Sequence, residues 1–476
     1  MNRPIRAVSI FAALMFFALL ANVTYSAAFR QAGLNNDPRN ARVRDAEFSQ
    51  NRGDILVGSM PIARTVTTGG QFTYLRTYPK AHEYAPVTGY YSYYYGRSEL
   101  EKTENAQLTG TADSQWLSRI TGTLSGRKPQ GGSLLTTINP KAQDAAWQGL
   151  QGMTGGVVAL DWSKGAVLAM ASTPSYDPNK LSTHDLPASQ RAWAALDPDS
   201  PDSPLLNKAA NQIYPPGSTF KLVTAAAALS NGLTPTSMVE APSAYTLPGT
   251  RTKLTNEIDC GGDKITLTRA LEISCNTAFA KIGGSLGADK LRDQAEKFGF
   301  GSTVDSDVSM VASRFPSELT PSQLALSAIG QYDVATTPLQ MAMVTSAVAN
   351  NGRLMQPYLT TEVRASNLQT VWRHRPQVFS DPMTPAAARQ LQQMMVSVVD
   401  HGTGQAAQID GVRVGGKTGT AQSAKERNPY AWFVAFSDNP KVAVAVFIQS
   451  SDTERSEIAG GRLAAPIARD VIEALR

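Results

Sequence analysis

The chain has 476 residues, 42% of them hydrophobic and only 17% charged, which is room for a large core and two or three domains and is not the composition of a disordered polymer. Its formal net charge of +5 is spread along the sequence without a Lys- or Arg-rich run, so nucleic acid is not expected as a partner, whereas an anionic cell surface is compatible. Two cysteines without a C-x-x-C, and four scattered histidines (His82, His184, His374, His401), argue against a metal site.

In chain order, the first feature is a stretch from Arg6 to Arg30 with no charge between them, almost wholly apolar from Ala7 to Ala21. With Asn22 to Phe29 it is long enough to span a bilayer. Arg3 and Arg6 precede it, but Arg30, Arg39, Arg42 and Arg44 follow, so charge does not settle the orientation. The expectation is a signal anchor with the bulk of the chain outside the cell. A cleavable signal, suggested by Ser26-Ala27-Ala28, is the alternative. Gln31 to Gly132 reads as mixed and strand-containing, with Tyr90, Tyr91, Tyr93, Tyr94 and Tyr95 expected to pack on a sheet or to form a partner surface. Gly131-Gly132 and Pro140 mark the boundary to the next part.

From Gly155 two apolar runs, Val157 to Leu160 and Ala166 to Met170, flank Asp161-Trp162-Ser163-Lys164-Gly165 and read as a hairpin. The middle is mostly helical. Tyr214-Pro215-Pro216-Gly217-Ser218-Thr219-Phe220-Lys221 opens a helix with Ser218 as N-cap, apolar nearly all round and ended by Asn231-Gly232. Further helices are expected over Leu267 to Ile273, Ala288 to Phe298 and Leu339 to Ala349. Strands return at Val412 to Gln422, Trp432 to Phe436 and Val442 to Gln449, and Ala465 to Leu475 closes the chain as a helix. Strands at both ends of this part, with helices between, predict one antiparallel sheet built from both ends and flanked by helices, an α/β sandwich.

Three polar motifs fall on this frame. Ser218 and Lys221, three residues apart, share one face of the helix's first turn, where the amine can reach the hydroxyl. Burial lowers the lysine pKa toward a neutral base, and unpaired N–H groups at the helix start suit an oxyanion. Ser274-Cys275-Asn276 reads alone as a polar turn. Lys417-Thr418-Gly419-Thr420, after Gly415-Gly416, lies on a strand whose glycines admit another backbone, so an extended peptide could pair there while Lys417, Thr418 and Thr420 receive a carboxylate. Cys260 and Cys275 are a candidate disulfide pair in an oxidising compartment, contributing roughly 3 kcal/mol for a loop of this length.

The order S-x-x-K, S-x-N, K-T-G, with the first heading a buried helix and the last on a strand, is the signature of penicillin-binding proteins and serine β-lactamases. The chain resembles the class B penicillin-binding proteins, most closely their short actinobacterial A type. Arg52-Gly53-Asp54-Ile55 and Gly96-Arg97-Ser98-Glu99-Leu100-Glu101 resemble patches of that family's N-terminal pedestal (dimerisation-like) domain. Pro174 to Asn179, Gly330-Gln331, Thr337 to Gln340, Gly402-Thr403-Gly404, Ala431-Trp432-Phe433, Gly460-Gly461 and Ala464-Ala465-Pro466 resemble transpeptidase landmarks. Glu99 and Tyr332 depart from it, each standing where a glycine is common.

The resemblance implies a penicillin-binding/serine β-lactamase-like transpeptidase domain over 151–476, a pedestal over 30–150, and a short cytoplasmic tail with a transmembrane signal anchor over 1–29. It implies a peptidoglycan D,D-transpeptidase without cofactor, acting in cell-wall synthesis and cell division. Ser218 is then the nucleophile and Lys221 its base, Ser274 and Asn276 serve proton relay and orientation, and Lys417 tunes the relay. Thr418, Gly419 and Thr420 bind the substrate carboxylate, and the N–H groups of Ser218 and Thr420 form the oxyanion hole. The implied partners are stem peptides (a D-Ala-D-Ala donor and an amine acceptor), β-lactams, the cell membrane, and division or elongation proteins. The part before Gly155 is too short for a glycosyltransferase, and too little follows Gly419 for a wall-binding module. A carboxypeptidase, a serine β-lactamase and a non-catalytic penicillin-binding scaffold or sensor are the rival readings.

Overall fold

The computed structural model describes residues 2–30, 41–70, 72–115, 130–421, 428–451, 453 and 458–476; Arg39 and Gln422 lie outside them. The chain divides into two compact units, Met1–Gln50 with Thr67–Leu75, and Asn51–Val66 with Arg76–Arg476. In the first unit, α1 (Asn2–Tyr25) runs into a π-helical turn, Ser26–Arg30. Its 24 residues rise about 36 Å, enough for a hydrocarbon layer of about 30 Å. Ile5, Phe11, Phe16 and Phe17 stand exposed on it, as side chains facing lipid do.

The second unit has among its elements, in chain order, β1 (Ile55–Val57), β2 (Met60–Thr67), β3 (Ser133–Thr136), α2 (Pro140–Gly149), β4 (Met153–Leu160), β5 (Val167–Thr173), α3 (Lys221–Ser230), β6 (Lys253–Thr255), α4 (Leu267–Glu272), α5 (Asn276–Leu286), α6 (Pro338–Ala349), β7 (Thr360–Arg364), β8 (Thr370–Arg373), α7 (Pro385–Asp400), β9 (Val414–Ala421), β10 (Tyr430–Ser437), β11 (Val442–Ser451) and α8 (Ala465–Ala474). The sheet that carries the site has the order β9-β10-β11-β4-β5, antiparallel throughout, with β9 at the edge. Both ends of the segment thus build one sheet, and the expected hairpin is β4–β5, with Val158 opposite Met170.

Alternation along these strands supplies two cores. Trp432, Val434 and Phe436 face the side of α3, α5 and α6, whereas Ala431, Phe433 and Ala435 face α2 and α8. Every residue of α6, and α3 from Lys221 to Leu229, is buried, so α3 is wrapped on all sides as its sequence implies. Gly232, at φ +96°, turns the chain after α3.

A second large sheet includes, in this order, β8-β7-β3-β1-β2. In it β1 is parallel to β3, with Ile55 opposite Leu134, and β7 is antiparallel to β3, with Thr360 opposite Thr136. Residues 360–373 therefore complete a sheet begun near residue 55, which draws its strands from both sides of residue 150. Of the tyrosine cluster, Tyr91 lies in a two-residue strand, Tyr91–Ser92, paired with Gly96–Arg97, and Tyr93 to Tyr95 form the turn between them. Tyr95 stacks on Trp193 at 4.1 Å, and Tyr90 meets Trp193 and Tyr176 edge-on.

A buried ion cluster ties the two pedestal patches together. Glu101, fully buried, accepts from Arg52 Nη2 at 2.7 Å, from Arg76 Nε at 2.6 Å and from the Tyr78 hydroxyl at 3.2 Å. Arg52 also donates to Asn105 Oδ1 at 2.7 Å, and Arg76 to the Gly53 carbonyl at 2.8 Å. Burial pushes the Glu101 carboxyl up, but the Arg76 and Arg52 guanidiniums outweigh it and hold it below the usual range. Nearby, Glu99 has φ +42° and accepts from Asn211 Nδ2 at 2.8 Å, while burial raises its carboxyl to about 8.

Glu101→Ala leaves two guanidiniums buried without their counter-ion, so it is expected to destabilise the fold by about 3–5 kcal/mol in denaturant titration. Because the folded carboxyl is depressed, its contribution is complete above the ordinary Glu pKa of about 4.3 and is lost as pH falls through the folded value. The wild type should lose stability in that acid window and Glu101→Ala should lack that part of the slope; parallel slopes would contradict the assignment.

Candidate active site

Ser218 sits in a 3-10 turn, Gly217–Phe220, and the α-helix proper begins at Lys221. The expectation of an N-cap serine is corrected: Ser218 is inside the turn, whose N-cap position is Pro216, and the N-cap of the α-helix is Phe220. Pro215 and Pro216 prevent a regular helix from starting earlier, and the turn is held from several sides. Gly217 N donates to the Gly330 carbonyl at 3.0 Å, Trp432 Nε1 to the Pro215 carbonyl at 2.9 Å, and the Thr219 hydroxyl to the Pro216 carbonyl at 2.8 Å. Gly217 has φ +52°, and a Cβ there would lie 2.7 Å from the Thr420 carbonyl oxygen. Glycine is thus required where the nucleophile turn meets β9.

Lys221 is fully buried and its nitrogen lies 2.7 Å from the Ser274 carbonyl oxygen, 3.1 Å from Ser274 Oγ and 2.7 Å from Asn276 Oδ1; as an ammonium it donates to all three, and as a neutral amine to two of them. A direct bond to Ser218, expected from the three-residue spacing, is not among them. Ser274 occupies the left-handed region at φ +60°, between the end of α4 and Cys275, the N-cap residue of α5. That conformation is uncommon for a serine and turns the segment so that the carbonyl, the hydroxyl and the neighbouring Asn276 side chain all address one amine. Asn276 Nδ2 donates to the Thr255 carbonyl of β6 at 3.2 Å, which fixes its amide orientation. Cys275 is joined to Cys260 as a disulfide, with Cα atoms 5.8 Å apart.

The opposite wall is β9. Lys417 is fully buried and donates to the Thr418 carbonyl at 2.9 Å. Gly419 faces Trp432 across the ladder, and a Cβ on it would lie 2.9 Å from both Thr219 Cγ2 and Trp432 Cβ, so this position too excludes a side chain. Among the described residues no strand pairs with the outer edge of β9, an edge of the kind to which an extended ligand can add.

Burial pushes the Lys221 ammonium well below the ordinary lysine range, the Lys417 charge pushes it further, and the Glu257 carboxylate opposes both. Burial likewise lowers Lys417, to about 7, against Glu257. Two adjacent buried cations disfavour each other's charge, so the site holds a lysine able to act as a neutral base beside a second that gains charge when an anion binds. Among the described residues no group of three His, Cys, Asp or Glu side chains is placed to hold a metal.

The structure thus joins Lys221, Ser274 and Asn276 by direct hydrogen bonds and sets the S-x-x-K turn against β9, which carries Lys417, Thr418, Gly419 and Thr420. Two residues were not assigned a site role in the sequence. Thr403 Oγ1 lies 2.6 Å from Thr418 Oγ1, and its N–H donates to the Glu272 carbonyl of α4 at 3.3 Å; the Gly402-Thr403-Gly404 pattern was its signal. Glu257 acts on both lysines, and nothing in its local sequence pointed to it.

With this geometry in view, residues 155–473 match the penicillin binding protein transpeptidase domain, and residues 52–134 match the penicillin binding protein A dimerisation domain. The chain is 42% identical to the peptidoglycan D,D-transpeptidase PbpA of Mycolicibacterium smegmatis and 39% identical to that of Mycobacterium tuberculosis, in each case over 100% of this chain and 99% of the relative. Its structure is similar to that of the ceftriaxone acyl-enzyme complex of penicillin-binding protein A from M. tuberculosis, with a TM-score of 0.86 over 90% of this chain and 99% of that one. Fold, motif order and relatives agree, and the chain belongs to the class B penicillin-binding proteins, among those of the A type.

Proposed function

We propose that this protein is a peptidoglycan D,D-transpeptidase that works through an acyl-enzyme on Ser218. The observation that carries the reading is the fully buried Lys221 amine, held by Ser274 and Asn276 one turn from Ser218. The relatives named peptidoglycan D,D-transpeptidase and the β-lactam acyl-enzyme of a similar structure support it.

Neutral Lys221 takes the proton of Ser218 as Oγ attacks the penultimate D-alanine carbonyl, with the developing oxyanion on the N–H groups of Ser218 and Thr420. Ser274 passes a proton to the leaving nitrogen, the C–N bond breaks and terminal D-alanine departs. Thr418 and Thr420 hold its carboxylate, Gly419 lets the donor backbone approach, and Lys417 supplies positive charge behind them. A second stem peptide's amine then attacks the ester, forming the cross-link and freeing Ser218. β-Lactams acylate the same oxygen. In our reading residues 1–29 anchor the chain, 30–150 form the pedestal that receives cell-division or elongation proteins, and 151–476 carry the chemistry outside the membrane, where the cysteine pair is oxidised.

Ser218→Ala is expected to abolish the benzylpenicillin adduct in intact-mass spectrometry while leaving the unfolding transition unchanged; an adduct on that variant would refute the nucleophile. Lys221→Ala should slow acylation by about 10²–10⁴-fold, the usual range for a lost general base. Acylation against pH should be bell-shaped: it falls on the acid side as Lys221 takes up its proton, and on the alkaline side as Lys417, titrating near 7 in the free site, loses the charge that receives the carboxylate. Protein exported natively should show Cys260 and Cys275 protected from alkylation until reduced, and two free thiols would contradict the extracytoplasmic placement.

A further inference from the structure

One carboxylate held beside the Ser274-Asn276 segment and acting on both lysines is employed by neither the donor nor the chemistry above. Glu257 is exposed, forms no ion pair among the described residues, and lies in the loop that follows β6. That loop is fastened to the Ser274-Cys275-Asn276 wall at three successive points. The Thr255 carbonyl accepts from Asn276 Nδ2 at 3.2 Å. Asn256 Oδ1 accepts from Thr277 N at 3.0 Å, and Asn256 Nδ2 donates to Thr277 Oγ1 at 3.1 Å and to the Pro242 carbonyl at 3.2 Å. Cys260 is bonded to Cys275. Glu257 stands between these fastenings, so its position is fixed relative to Ser274 and Asn276, and its charge reaches both buried lysines.

A carboxylate here is of no use to the donor, whose anionic end goes to Thr418 and Thr420 on the opposite wall. The reaction requires one cationic partner, the acceptor amine, which at neutral pH arrives as an ammonium. We propose that Glu257 is the specificity-determining residue on the acceptor side of the cleft, drawing the acceptor's ammonium to the acyl-enzyme from the Ser274-Asn276 wall. The ammonium gives one proton to water. The neutral amine then attacks the ester carbonyl, and its second proton passes by Ser274 and Lys221 to Ser218 Oγ as the C–O bond breaks and the C–N bond forms. This rests on the acyl-enzyme reading above.

The test is partition of the acyl-enzyme formed from a thioester donor between hydrolysis and aminolysis, comparing wild type, Glu257→Gln and Glu257→Asp. Two acceptors are used: glycinamide, cationic at neutral pH, and hydroxylamine, uncharged there. Glu257→Gln is expected to raise the half-saturating glycinamide concentration by about 5–10-fold, as loss of one nearby charge pair in a partly desolvated cleft allows, to leave the hydroxylamine value within about twofold, and to be partly restored in Glu257→Asp. The glycinamide effect should shrink as salt is raised. Equal effects on both amines would mean a structural role, and no effect on either would mean a solvated loop carboxylate; each overturns the proposal. Failure of the wild type to form any acyl-enzyme would instead overturn the function on which it rests, and is read separately by intact mass.

Discussion

A lysine amine taken entirely out of water is the constraint to which the catalytic half of this protein answers. Solvation of an ammonium is worth several kcal/mol, so Lys221 is tolerated inside only with its proton given up or its donors fully engaged. Ser274 and Asn276 engage them, which in turn obliges Ser274 to adopt a left-handed backbone and obliges Asn276 to be held by Thr255. The helix beginning at Lys221 must then be enclosed on every side, and α3 is buried from Lys221 to Leu229. The same burial that is costly for a charge supplies the base that a serine nucleophile requires.

Much of this was legible in the residues because the relevant patterns are local. The runs Val412 to Gln422, Trp432 to Phe436 and Val442 to Gln449 fall within two residues of β9, β10 and β11, and α3 and α6 end at the Asn-Gly stops that follow them. Ser218 as an N-cap was wrong because Tyr214-Pro215-Pro216 and Gly330 dictate a 3-10 turn first, a tertiary effect that propensity does not contain. Spacing within a helix pointed only to Ser218 as the lysine's partner, whereas the amine reaches across to residues more than fifty positions away, of which the family resemblance pointed to Asn276. Thr403 and Glu257 come into the cleft by chain reversals that no short window records.

The two departures from the family pattern have a common physical character. Glu99 and Tyr332 stand where glycine is usual, and both hold positive φ, +42° and +63°. The backbone at these points is kept although the residue best suited to it is gone, which means the surrounding contacts are strong enough to impose it. For Glu99 one such contact is visible in the bond from Asn211, a residue on the segment that leads to the nucleophile turn. The buried Glu101 with its two arginines lies two residues further on, so that this stretch of pedestal is fixed by charge at one point and strained at the next.

The shared sheet bears on how such a chain reaches its folded state. The strand at residues 133–136 has its neighbour at 360–364, and the strand at 153–160 has its neighbour at 442–451. A polypeptide emerging N-terminus first therefore presents unpaired strand edges from both sheets until nearly its whole length is available, and those edges are the surfaces through which unfinished chains adhere to one another. Loop closure over such separations is slow. Both sheets therefore close late, and the chain stays open to self-association until its C-terminal strands are in place.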